Sequence, residues 1–387
     1  MGIPKISTSI KPLEIGIDGG TWSNRRGYGR FLRELLPEVV RLRPEWRFKV
    51  FLDRAQTDTI GAPNLQWISA DTKRGVSESA AAGSARSASD LLRMSRAMGR
   101  ESLDLLFFPT VYSYFPVLRR LPVVLGIHDT MADRFPQWAF AGKKQELLWR
   151  AKVRLAIAQA TRIVTVSEYS RATIANHFSI DPARMTVISE AAAGVFAWRP
   201  EPEEETILAV GGLSPNKNLS LLIRTLAMLR QSRPGLRLVL VGDYEKDGFR
   251  GCYDELRREA EACGVSEVVE FTGFLADEAL ASQYNRCAVF AMPSIEEGFG
   301  LPLVEAMSCG CACAVSSGHA LEEVGEDAVV LADPQSAEDW ARVLGRLLDD
   351  PVRRAELREK ARRRAATFTW ERGARTLVTL FEGLVRR

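Results

Sequence analysis

Short apolar or β-branched runs alternate with amphipathic stretches from one end of the chain to the other, the pattern of strand–helix–strand units built on parallel sheets. In the first half, runs at 13–18, 48–53, 103–108, 123–128, 163–167 and 185–189 predict strands, and helical spacing predicts helices over 28–41, 90–99, 143–160 and 169–177. The alternation restarts after residue 205, with strands predicted at 207–210, 237–241, 268–272, 289–292, 312–316 and 329–331. Helices are predicted there at 219–229, 253–263, 277–285, 302–309 and 337–348. Two basic amphipathic segments, 352–366 and 370–385, close the chain, and the second sets Trp370, Ala374, Leu377, Val378, Phe381 and Leu384 at helical spacing. Between the two series lies WRPEPEEE (198–205), whose prolines and acids predict a linker outside any packed core, while the Ser/Ala/Gly-rich 76–89 predicts a mobile surface loop. The fold expected is α/β, with two doubly wound parallel-sheet lobes and ligands in the cleft at the carboxyl ends of their strands.

Composition narrows this picture. With 387 residues, 46% hydrophobic and 26% charged, the chain can bury a core in each of two domains, and collagen-like, disordered and coiled-coil classes are excluded. No apolar run is long enough to span a bilayer and the start, MGIPKISTSIKPLE, has no apolar signal core, so a cytoplasmic protein is expected. All six cysteines fall in the second half and read as free thiols. Cys309, Cys311 and Cys313 alternate from an expected helix end into a strand without a spaced fourth ligand, so packing is expected of them and no metal site. The net charge of +3 hides an asymmetry: residues 1–200 hold 29 basic and 18 acidic residues, the remainder 23 and 31. No helix-turn-helix, zinc finger or aromatic RNA-reading strand accompanies the basic half, so nucleic acid is not expected, and an anionic lipid surface or phosphorylated substrate is favoured. The segment 143–160 carries Lys143, Lys144, Arg150, Lys152 and Arg154 among Leu147, Leu148, Trp149, Val153, Leu155 and Ile157, a pattern that suits either a membrane interface or packing on a sheet.

The densest chemistry lies in PSIEEGFGLPLVEAMSCG (293–310). An expected strand ends at Met292, a Gly-containing loop carries Glu297, Pro302 stands where a helix can begin, and Glu305 is placed in its first turn. Two carboxylates so spaced can both face a cleft, while the amides of Gly298, Phe299, Gly300 and Leu301 meet a positive helix end that favours phosphate. The plain alternative is a solvated Glu297 and a Glu305 that merely complements the helix dipole. Gly27, Tyr28 and Gly29 stand at a strand-to-helix connection where backbone can approach an acceptor or phosphate, and His128 ends an apolar strand at the cleft. His177 and His319 read as structural.

Glu297 to Glu305, E-G-F-G-L-P-L-V-E, resembles the E-x7-E signature of family four of the retaining glycosyltransferases, the bacterial group 1 set with the GT-B fold. Similar stretches follow in order: RRGYGRFLREL (25–35) and IHDTMADRFP (127–136), both like the mannosyltransferase subset, then VSEYSR (166–171), ILAVGGLSPNKNLSLLI (207–223), FTGFLADEALASQY (271–284) and a terminal FTWER. The resemblance implies two Rossmann-like lobes with an inter-lobe cleft: an acceptor-binding lobe over 1–197, rejoined by a C-terminal helix at 370–387, a linker at 198–205, and a nucleotide-sugar-binding lobe over 206–369. It implies that Glu305 binds ribose, that Glu297 and His128 stand at the reaction centre, and that Lys217 lies on the diphosphate. It also implies a retaining, metal-independent hexose transfer from a nucleoside diphosphate sugar, without a further cofactor, to a glycan or lipid-linked acceptor, in polysaccharide or lipopolysaccharide biosynthesis. Mannose from GDP-mannose is the first expectation and a UDP-sugar the second, with peripheral contact on the inner membrane face left open. One departure stands out: Gly212 occupies a position where the family often has Arg, which also leaves open a non-catalytic nucleotide-sugar-binding protein.

Overall fold

The computed structural model describes residues 12–24, 27–72, 87–243 and 252–385; Arg25, Arg26 and most of the expected loop at 76–89 lie outside the described residues. The first sheet is formed by β1 (Glu14–Asp18), β2 (Arg47–Leu52), β3 (Leu65–Ser69), β4 (Leu105–Phe108), β5 (Val123–Gly126), β6 (Arg162–Thr165) and β7 (Met185–Val187), in the order β3-β2-β1-β4-β5-β6-β7. The second is formed by β8 (Glu204–Val210), β9 (Arg237–Val241), β10 (Val269–Gly273), β11 (Cys287–Met292), β12 (Cys313–Ser316) and β13 (Val329–Ala332), in the order β10-β9-β8-β11-β12-β13. Every pairing is parallel, and the central strands are buried along their whole length, because helices cover both faces of each sheet. Strand order reverses at β1/β4 and at β8/β11, the places where ligands collect in such sheets. The architecture is GT-B.

Three features differ from the sequence reading. β3 is an edge strand of intermediate exposure, so its LQWIS stretch lacks the apolar run that marked its neighbours. The acids of 198–205 do not form a free linker: Glu203 pairs with Arg354 at 2.8 Å and Arg358 at 2.5 Å, Glu201 accepts from Ser282 at 2.7 Å, and Glu204 is already in β8 opposite Cys287. The basic helix Pro351–Ala365 supplies the partners that make an acidic, proline-rich strip adhere. The helix after β11 begins at Leu301, with Pro302 in its first turn, so Glu305 falls beyond that turn, on a buried face.

The chain finishes on the first sheet. Helix Trp370–Val385 packs on helix Gly27–Leu42, with Trp370 edge-on to Phe31 at 5.9 Å and Phe381 against Phe107 at 5.7 Å and Trp46 at 6.5 Å. An Arg43–Glu382 ion pair adds a polar tie. Phe381 is fully buried, so Phe381→Ala is expected to lower unfolding free energy by about 3–5 kcal/mol. Denaturant titration checks this, and a change below about 1 kcal/mol would show that the returning helix is not part of the first core.

Candidate active site

β11 delivers the loop 293–300 to the cleft, and two glycines let it fold there. Gly300 has φ +96° as the residue before helix Leu301–Ser308, and a Cβ on it would stand 2.2 Å from a Leu321 methyl. Opposite this loop, the turn after β8 carries Lys217. Asn218 holds that turn in the left-handed region, φ 54°, and its side-chain amide donates to Pro293 O at 3.2 Å and Pro334 O at 2.8 Å. The Ile295 amide donates to Asn216 O at 2.8 Å, stitching turn to loop. Lys217 Nζ therefore reaches Glu297 Oε1 at 2.5 Å, with both side chains largely shielded, so Glu297 is paired and not solvated. The Lys217 stem lies along Gly211: a Cβ there would meet its Cε at 3.1 Å.

The first lobe meets this loop with the motifs that the sequence singled out. A Cβ on Gly298 would fall 2.4 Å from the His128 carbonyl oxygen, so the close approach requires glycine. The Gly298 carbonyl accepts from the hydroxyls of Ser167 at 2.6 Å and Ser170 at 2.8 Å. His128 is buried, edge-on to Tyr28 and Phe31, with Nε2 2.9 Å from Pro109 O and Nδ1 3.5 Å from Glu190 Oε1. A carbonyl can only accept, so Nε2 carries a hydrogen and donates it to Pro109 O. Tyr28 turns its hydroxyl to Asp129 at 3.0 Å; Gly27 is exposed at the helix start, and Gly29 has no room for a side chain, since a Cβ would lie 1.8 Å from Asn24 O. Phe299 is buried against Phe368, with ring centroids 5.6 Å apart.

Glu305 is 4% exposed and receives the Tyr284 hydroxyl at 3.3 Å. Arg30 of the first lobe brings Nε to 3.5 Å from it while forking onto Asp277 at 3.0 and 2.6 Å. Burial dominates and pushes the Glu305 carboxyl up to about 7, against the partial relief given by Arg30 and Tyr284. Sequence reading missed Arg30 as a partner of Glu305, and it missed Glu190. It also missed Glu296, buried and bound by Arg134 at 2.8 Å and by the Tyr169 hydroxyl at 3.1 Å. Burial raises Glu296 and Asp129 as well. His319, at the start of helix Ala320–Gly325, bonds to backbone, its Nε2 lying 2.9 Å from Ser294 O. The six cysteines are free thiols, and among the described residues no group of three or more His, Cys, Asp or Glu is placed to hold a metal ion.

The Glu305 shift yields a pH prediction. A carboxyl that titrates near 4.5 when unfolded and near 7 when folded holds an extra proton in the native state between those values, so stability falls as pH rises through that window. Glu305→Gln removes the titration. Its unfolding free energy should converge with that of the parent near pH 4.5 and exceed it by up to about 3 kcal/mol at pH 8. Parallel stability curves would exclude Glu305 as the source.

Comparison with known proteins bears on the chain as a whole. The model described as Glycosyltransferase Family 4 matches residues 27–191, and that described as Glycosyl transferases group 1 matches 195–364. The MMP alpha-(1->4)-mannosyltransferase of Mycolicibacterium hassiacum is 32% identical over 59% of this chain and 56% of that protein. The D-inositol 3-phosphate glycosyltransferase of Salinispora tropica is 31% identical over 58% and 51%. The chain thus spans about half the length of these curated relatives. The structure of Anabaena HepE in complex with UDP-glucose aligns with a TM-score of 0.73, 19% identity and coverage of 96% of this chain and all of that one, which shows the shared fold. With one family model on each sheet-bearing half, together taking in most of the sequence, the chain belongs to the group 1, family 4 glycosyltransferases.

Proposed function

We propose that the chain moves a hexose, with retention of configuration, from a nucleoside diphosphate sugar to a hydroxyl of a glycan or lipid-linked acceptor. The observation that carries this reading is the Lys217–Glu297 pair at 2.5 Å, set on a loop that presses Gly298 against the His128 backbone across the cleft. Lys217 can neutralise the departing diphosphate, and the amides of Gly298, Phe299, Gly300 and Leu301 at the start of helix Leu301–Ser308 can add donors to it. Glu305 suits the ribose hydroxyls, Glu297 those of the donor sugar, and His128 the far side of that sugar. The helix start at Gly27, Tyr28 and Gly29 suits the acceptor or a phosphate. The departing phosphate itself can take the acceptor proton, so the reading invokes no metal ion and no cofactor, and the protein supplies orientation and a dry cleft. Mannose from GDP-mannose is preferred, supported by RRGYGR, HDTMADRFP and the mannosyltransferase named above, and polysaccharide or lipopolysaccharide synthesis is the role proposed with it. A UDP-sugar is the second reading, favoured by the fold match to a protein bound to UDP-glucose.

Purified protein mixed with GDP-mannose or UDP-glucose and followed by NMR should release nucleoside diphosphate from one of them and keep the α configuration in the product. Lys217→Ala is expected to lower turnover by about 10²–10³. Gly212→Arg should leave donor affinity equal or tighter, since that position brings no cation of its own. Binding without turnover of any sugar nucleotide would favour a non-catalytic protein, and an inverted product would end the retaining assignment.

A further inference from the structure

Ten large hydrophobic side chains are exposed among the described residues, and five of them, Leu92, Leu118, Leu147, Leu148 and Leu155, lie on one side of the first lobe. They share that side because helices Ala88–Gly99 and Lys143–Gln159 send Met94, Met98, Trp149, Val153 and Ala156 into one core on the same face of the sheet. The segment bearing Leu118 joins the two helices: Gln159 is bonded to both the amide and the carbonyl of Val117 at 2.9 Å, and the Ser95 hydroxyl donates to Pro116 O at 2.7 Å. The packing alternative for the 143–160 leucines therefore fails for the three that matter, with Leu147 69%, Leu148 54% and Leu155 43% exposed.

On helix Lys143–Gln159 the exposed Lys144, Leu148, Ala151, Leu155 and Ala158 form one stripe, and Lys143, Leu147, Arg150 and Arg154 form the stripe beside it. Arg93, Arg96, Arg100, Arg119 and Arg120 are also exposed on this side. The single acid of the helix, Glu146, is paired with Arg150 at 2.6 Å. Lys152, which the sequence placed with this face, turns inward and donates to Tyr112 O at 2.6 Å.

We propose that this face docks on an anionic lipid bilayer. Leu147 lies between Lys143 and Arg150 on one stripe, and Leu148 and Leu155 run on from Lys144 on the other, which suits apolar tips at the acyl boundary with ammonium and guanidinium groups at the lipid phosphates. A nucleic acid would use the cations and leave the leucines in water. Ring contacts run from Trp149 through Tyr112 at 4.9 Å to Tyr28 at 4.7 Å and on to His128 at 5.1 Å, so a docked helix stands beside the first-lobe wall of the cleft, where a lipid-linked acceptor would arrive.

The test is cosedimentation of the full chain with phosphatidylcholine vesicles with and without phosphatidylglycerol, donor binding being measured in parallel on the soluble protein. Recovery should require the anionic lipid and fall as salt rises from about 0.01 M to about 0.15 M, where the Debye length shortens from about 30 Å to about 8 Å. Lys143→Gln with Lys144→Gln and Arg154→Gln should weaken binding roughly 100-fold, at about fivefold per charge. Leu147→Ser with Leu148→Ser and Leu155→Ser should weaken it at least about tenfold with every charge retained. Both variants change exposed residues only and should keep the parent melting temperature and donor affinity. Equal recovery with neutral and anionic vesicles overturns the proposal. So does a leucine variant that sediments like the parent, or single-stranded RNA binding that outcompetes the vesicles and ignores the leucine changes.

Discussion

The cleft is organised by a contact that tolerates no side chain. Because a Cβ on Gly298 would stand 2.4 Å from the His128 carbonyl, only glycine lets the backbone of the Glu297 loop lie directly on the first lobe. Ser167 serves both sides of the junction: its hydroxyl oxygen accepts from the Ser170 amide, capping helix Glu168–Phe178, while its proton goes to Gly298 O at 2.6 Å. The remaining amides of that helix end, Glu168 and Tyr169, donate to the two oxygens of Glu323 from the second lobe at 2.8 and 2.7 Å. A carboxylate at a positive helix end is stabilising, so the lobes are held by complementary backbone polarity as well as by side-chain pairs.

That approach brings acids together at a cost. Asp129, Glu296 and Glu305 are all raised by burial, and each is bound by donors: Tyr28 and the Met131 amide on Asp129, Arg134 and Tyr169 on Glu296, Arg30 and Tyr284 on Glu305. Three of those six donors, Arg134, Tyr169 and Arg30, cross from one lobe to the other. An incoming diphosphate would add negative charge to a setting whose cations are already engaged: Lys217 on Glu297, Arg134 on Glu296, and Arg30 on Asp277 and Glu305. Arg30 brings its guanidinium into the cleft from the opposite lobe. Its two terminal nitrogens fork onto Asp277 while Nε faces Glu305, so one guanidinium serves both acids.

What was legible in the chain was local. Runs such as that of β11, apolar over its whole length, and that of β9, apolar after Arg237, announce buried parallel strands, and Glu297 and Glu305 are related by a spacing that one loop and one helix fix together. β3 was not legible because an edge strand of intermediate exposure has no such signature. Arg30 with Asp277 was not legible either: the partners are 247 residues apart, and nothing in either neighbourhood specifies the other. Helix Lys143–Gln159 shows a third kind of limit. Its period gives the arrangement of leucines and cations around the axis, but only the packed structure tells that the arc of Trp149, Val153 and Ala156 enters the core and which arc is left to solvent.

The return of the last helix sets how the two sheets can move relative to each other. Helix Pro351–Ala365 stays with the second sheet, since Arg358 donates to Cys287 O at 3.2 Å and Arg364 donates to Val324 O at 2.9 Å and Glu323 O at 3.0 Å. Helix Trp370–Val385 belongs to the first, through Phe31, Trp46 and Phe107. The chain thus crosses between the lobes twice, once after β7 and once at residues 366–369, and a widening of the cleft has to bend both crossings together. Two covalent crossings favour rotation about the line joining them over sliding, and a hinge of that kind would return the Lys217 turn and the Gly298 loop to the His128 backbone in the same register.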